Sequence, residues 1–113
     1  MKIYYCDYGE RKNIPFSKAL EMDLENAVIS FTEVSGYKEN FWGINITDEQ
    51  CIQFVYLASD RWLVDIPVNE KGGTFTRQCS VNECIAMITE AYTRLKLPNL
   101  SDYNFTPFPH LKK

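Results

Sequence analysis

Apolar and polar positions alternate most regularly between Phe41 and Cys79, and there the chain reads as a series of β-strands. Phe41–Ile46 sets Trp42, Ile44 and Ile46 on one side. Gln50–Leu57 sets Ile52, Phe54 and Tyr56 against Cys51, Gln53, Val55 and Leu57. Trp62–Val68 repeats the pattern with Trp62, Val64 and Ile66, and leaves Leu63 and Asp65 on the less buried face. Thr47–Glu49 and Ala58–Arg61 are the polar turns between these strands. Pro67 has no N–H to give a ladder, so it predicts an edge or a strand end. Gly72-Gly73 permits a turn with positive φ, and Thr74–Cys79 follows as a more polar strand.

The period changes on either side of this region. Lys2–Tyr5 predicts a short opening strand. Phe16, Leu20, Leu24 and Ala27 then recur at helical spacing, with Ser17 as the expected N-cap and Glu21 near the positive end of the helix. Ala27–Val34 returns to period two and predicts a strand, and Ser35–Asn40 predicts a loop. After Cys79, Ser80-Val81-Asn82-Glu83 has the form of a capping box. Val81, Cys84, Ile85, Ile88, Ala91, Tyr92 and Leu95 form an amphipathic stripe that Pro98 terminates. A helix with one apolar stripe beside a sheet with one apolar face predicts a two-layer α+β domain: an antiparallel sheet of about five strands with helices packed on one face. The tail Asn99–Lys113 carries Tyr103, Phe105 and Phe108. Part of it is expected to fold back onto the domain, with fraying after about residue 106.

A chain of 113 residues fits this single domain, and no internal repeat divides it. Charge changes the picture by its distribution. Residues 37–70 hold two basic groups (Lys38, Arg61) and six acidic ones (Glu39, Asp48, Glu49, Asp60, Asp65, Glu70), whereas residues 71–113 hold six basic and three acidic. An acidic middle argues against nucleic acid, which requires a basic face, and suits a basic protein partner. No run is long or apolar enough for a secretory signal or a membrane span, so the expected compartment is the cytoplasm.

Reactive sets are hard to assemble. The four cysteines, Cys6, Cys51, Cys79 and Cys84, show neither a disulfide framework nor metal-ligand spacing, and the single histidine is His110. They read as reduced, core-filling thiols. No nucleophile elbow or phosphate-cradling loop is present. Asp60 and Asp65 flank the Trp62 strand, but nothing marks a cleft around them. No catalytic residue, metal or cofactor is expected. What remains is surface. Tyr37, Trp42 and Trp62 lie beside acidic residues and turns, the setting of interface hot spots. At this spacing Trp42 and Trp62 are more often sheet-face residues, whereas Tyr37, in SGYKEN, is the better candidate for exposure.

The order FWGINI, CIQFVYL, RWLVDIP, a polar strand, the Ser-capped helix SVNECIAMITEAYTRL and the tail LPNLSDYNF resembles the immunity proteins of bacterial polymorphic toxin systems, in particular the class that accompanies nucleic-acid deaminase toxins. The resemblance covers about residues 16–105. It implies a non-enzymatic inhibitor, monomer or homodimer, that binds a cognate toxin domain and blocks its active site or substrate groove. It implies no nucleic acid, membrane or cofactor as partner. Tyr37, Glu39, Asp60, Trp62 and Glu70 are the expected contacts, with acids steering at the rim and an aromatic anchor at the centre. Two alternatives stay open. A small acidic secretion chaperone would dimerise and expose an apolar strand-binding groove. A small-molecule enzyme would hold a deep pocket with convergent polar groups.

Overall fold

A computed structural model describes residues 1–109. It is an α+β fold: an open antiparallel sheet of eight strands with two α-helices. The strands are β1 (Lys2–Asp7), β2 (Lys12–Ile14), β3 (Leu20–Glu21), β4 (Phe41–Asn45), β5 (Cys51–Ala58), β6 (Arg61–Val68), β7 (Gly73–Cys79) and β8 (Asn104–Pro107). The helices are α1 (Leu24–Thr32) and α2 (Val81–Arg94). The order across the sheet is β2-β1-β4-β5-β6-β7-β8, and β3 also pairs with β1. β2 pairs with Tyr5–Asp7 and β3 with Lys2 and Ile3, so the two lie end to end along one edge of β1.

The expected strands from Phe41 to Cys79 are present, with ends moved by a residue or two. Their register brings Trp42 opposite Phe54, Ile44 opposite Ile52, Phe54 opposite Val64 and Trp62 opposite Cys79. These residues, with Ile3 and Ile66, form the sheet side of the core. β5 pairs with β6 only as far as Asp65, so Pro67 has β7 as its one neighbour and costs the sheet no ladder bond on the β5 side. Gly72 takes the anticipated left-handed turn, with φ of 70°. On the other face Tyr4 lies flat over Gly43, where any Cβ would collide with its ring.

The capping box at Ser80 is formed. The Glu83 N–H donates to the Ser80 hydroxyl, and the Ser80 N–H donates to the Glu83 carboxylate at 2.8 Å. Cys84, Ile88 and Ala91 face the core. The strand expected at Ala27–Val34 is instead helix α1, and the helix expected from Ser17 is a single 3₁₀ turn at Phe16–Lys18 followed by β3. Asp23, not Ser17, is the N-cap, and it accepts the Asn26 N–H at 2.9 Å. Packing overrides the β-branched residues here. Ala27 and Phe31, one turn apart, enter the core, and Phe31 meets Trp42, Phe54 and Trp62 with ring centroids 4.8–5.6 Å away. The Ser30 hydroxyl donates to the Ala27 carbonyl and accepts the Trp42 indole N–H at 2.8 Å, which ties the helix to the sheet. Both helices contribute to one buried cluster on this face.

The expected five strands fall short because the count missed β2, β3 and β8. The tail folds back further than anticipated, as β8 against β7, with Phe105 packed on Phe75 and the Phe108 N–H bonded to the Gly72 carbonyl. That bond fixes the alternation along β8, so the N–H that Pro107 lacks would have pointed away from the sheet. The expected fraying of the last few residues, and His110, lie outside the described residues. No helix among the described residues is long and apolar enough to cross a membrane.

Phe31→Ala should cost about 3–5 kcal/mol, because the cavity it leaves is walled by rigid rings that relax little. Urea unfolding measures this. A cost near that of an exposed substitution would show that the layers are held by something other than this cluster.

Candidate functional site

The loops gather at two opposite ends of the sheet. One end carries the β1–β2 turn, the Ser35–Asn40 loop, the β5–β6 hairpin and the first turn of α2. The other carries the β4–β5 and β6–β7 turns and the segment after α2.

The first end is built on a buried polar knot. Asp7 is 2% exposed and Asn40 is fully buried. The Asn40 side-chain amide donates to the Asp7 carboxylate and to the Ser35 carbonyl, each at 2.9 Å. Its side-chain oxygen accepts the Tyr8 N–H at 2.6 Å, and its main-chain carbonyl accepts the Tyr56 N–H at 2.8 Å. Asp7 also accepts the Ser35 N–H, the Ser35 hydroxyl and the Glu10 N–H. Among the described residues no buried side-chain nitrogen or oxygen lacks a partner. Burial pushes the Asp7 carboxyl upward, but the bonds from Ser35, Glu10 and Asn40 outweigh it and hold it below the usual carboxylate value. Gly9 lies so close that a Cβ there would meet the Ser35 hydroxyl at 2.6 Å. Two loops distant in sequence are thereby locked together.

Two exposed tyrosines stand on this knot. Tyr37 is 55% and Tyr8 53% exposed. Glu39, two positions after Tyr37, is exposed and in a left-handed conformation with φ of 75°. It lies near enough to Tyr8 to add to an upward shift of that phenol, which is due mainly to a hydrogen bond with Cys6. Asp60, at the tip of the β5–β6 hairpin, also takes positive φ, and its carboxylate accepts the Val81 N–H at 2.9 Å. It therefore helps cap α2 besides facing solvent.

Of the five expected contact residues, Tyr37, Glu39 and Asp60 share this end. Trp62 does not serve as a surface anchor. It is 4% exposed, packed between Phe31 and Tyr56 in the core. Its parity with Val64 and Ile66 puts it on the helix-covered face, and that alternation outweighs the charged residues beside it in sequence. Glu70 lies at the opposite end, in the 3₁₀ turn Asn69–Lys71. Asp7, Asn40 and Tyr8 were not anticipated. The one available signal was Asp7 itself, a carboxylate in step with Ile3 and Tyr5 on the covered face, where an acid needs partners.

The cysteines have the settings of packing groups more than of nucleophiles. All four are free thiols, Cys79 and Cys84 buried and Cys6 and Cys51 half-buried. Burial, helped by Cys79, Glu83 and Asp60, pushes Cys84 up to about 12, and burial also raises Cys51 and Cys79. Asp65 sits on the open face as its parity implied, and accepts the Thr74 hydroxyl. Among the described residues no three His, Cys, Asp or Glu side chains gather to hold a metal ion. No family model, curated protein or solved structure matches the chain.

The knot makes stability pH-dependent with a definite sign. Because the folded-state Asp7 pKa is depressed, its contribution is complete above the unfolded value of about 3.9 and is lost as pH falls through the lower folded value. Asp7→Asn should destabilise the domain by about 1–3 kcal/mol at neutral pH, through the weakened and mismatched bonds to Ser35 and Glu10. It should also flatten the acid limb of a stability-versus-pH profile, followed by urea midpoints. An unchanged acid limb would mean that other carboxylates set it.

Proposed function

We propose that this chain is an immunity-type protein, which binds a cognate bacterial toxin domain in the cytoplasm and neutralises it by covering its active site or substrate groove. The observation that carries this reading is the rigid presentation of Tyr8 and Tyr37. Both rings stand in solvent on loops fixed by the buried Asp7–Asn40 knot, with Glu39 beside them. With the backbone beneath them fixed, these aromatic side chains have only two ring torsions each to order on contact, so they suit a protein interface. Glu39 and Asp60 share this end with the exposed Arg11, Lys38 and Arg61, so they would pair with individual basic groups of a toxin rather than set up an acidic field.

A secretion chaperone is the second reading, and one observation favours it. On the sheet face away from the helices, Phe41, Val55 and Leu63 are cross-strand neighbours and only half-buried. An amphipathic or extended segment of a client would cover such a row. Sizing the protein alone and with an extended client peptide separates the two, since a chaperone should dimerise and take the peptide.

The decisive test is genetic. The reading frame beside this one is expressed alone and together with this chain, and growth is followed. The immunity reading expects arrest by the neighbour alone, rescue on co-expression and a stoichiometric complex on sizing. Tyr37→Ala combined with Glu39→Lys should weaken that complex by about 2–4 kcal/mol while leaving thermal stability near wild type. A neighbour that does not arrest growth, or arrest unrelieved by this chain, would sink the reading.

A further inference from the structure

The end of the sheet opposite the tyrosines carries a groove that the contact surface above does not use. One arm, about 300 Å³, is lined by Glu49, Gln50, Pro67, Val68, Glu70 and Leu97. A second, about 220 Å³, shares Glu49, Gln50, Pro67 and Asn69 with the first and continues past Asp48 and Cys51 to Phe16. Together they wrap the ends of β5 and β6, from the helix-covered face round to the open one.

The walls define what fits. Pro67, Val68 and Leu97 give an apolar flank, and Phe16 ends the second arm with its ring 60% exposed, steadied edge-on by Tyr4 at 5.0 Å. Asp48, Glu49 and Glu70 supply negative charge, and no lysine or arginine lines either arm. None of the three acids takes part in an ion pair among the described residues. They are also not gathered as a metal site would require. Acids strung along an apolar channel match long cationic side chains, whose methylene stems lie on the wall while the heads reach the carboxylates. A guanidinium can in addition stack on the free Phe16 ring.

We propose that this groove docks an arginine- or lysine-bearing loop of a folded protein partner. The proposal rests on the binding role above and deepens it by giving the partner a second contact, at the far end of the sheet. It accounts for Glu70, which the fold separates from Tyr37, Glu39 and Asp60. A partner engaging both ends would lie along the strands rather than cap one edge.

The test uses the full ¹⁵N-labelled chain titrated with acetyl-Gly-Arg-Leu-Arg-Gly-amide, followed by amide chemical shifts. The glutamate counterpart of that peptide and magnesium chloride at matched ionic strength are the comparison arms. The expected result is saturable shifts confined to Gln50, Val68, Asn69, Leu97 and their neighbours, with only the arginine peptide. Glu49→Gln combined with Glu70→Gln should weaken the apparent affinity about tenfold while keeping a dispersed spectrum. Shifts scattered over the surface, equal shifts with magnesium or the glutamate peptide, or unchanged affinity in the double variant would each overturn the proposal. None of these readouts involves the toxin, so failure of the groove and failure of the immunity role are read separately.

Discussion

The rings of Phe31, Trp42, Phe54 and Trp62 fill one volume between helix and sheet, and the rest of the architecture is arranged around that contact. α1 is nine residues long, too short to persist alone in water, so it exists because Phe31 has somewhere to go. The Trp42 indole N–H would be an unpaired donor in this apolar volume, and Ser30 on the same helix satisfies it. The constraint runs both ways. The sheet needs a cover for one face, and a segment rich in β-branched residues becomes helical to provide it.

With the helices committed to one face, the partner-facing chemistry falls to the loop ends and the open face. The two ends differ in kind. One is stiff, with two exposed tyrosines above a buried carboxylate–amide pair whose every polar atom is satisfied. The other is concave, acidic and apolar-walled. Asp60 stands between the roles of fold and surface, since the carboxylate that faces solvent also receives the first N–H of α2.

Much of the fold was readable along the chain, because period-two alternation and a capping box report burial directly. β4 to β7 and α2 come from such local patterns, and so does the αL turn at Gly72. Trp62 was legible in the same way, through its parity, although the charged residues beside it suggested a surface. α1 was not legible as a helix. Val28, Ile29 and Thr32 favour extended backbone by themselves, and only the distant Trp42 and Trp62 reverse the preference. β2, β3 and β8 are two to four residues long and gain their form from a neighbour, so no periodicity announces them. The knot was hidden for a related reason. Asp7 and Asn40 are thirty-three positions apart and meet only when β1 pairs with β4. The loop residues Tyr37, Glu39 and Asp60 could be chosen from turn composition, and the strand expected over Trp62–Val68 already separates Asp60 from Glu70 by the length of the sheet.

Pro107 carries a consequence of another sort. An open sheet of this width leaves two margins, and an unpaired margin invites a further copy to add on and so to propagate. At β8 only Phe105 and Pro107 turn outward, and the ring nitrogen of Pro107 removes one of those two donors. At the far margin β2 and β3 are interrupted by the turn at Phe16–Lys18, which offers no continuous row of donors. Each margin therefore gives an incoming strand only a short, broken row of backbone groups, which makes both poor templates for a further copy.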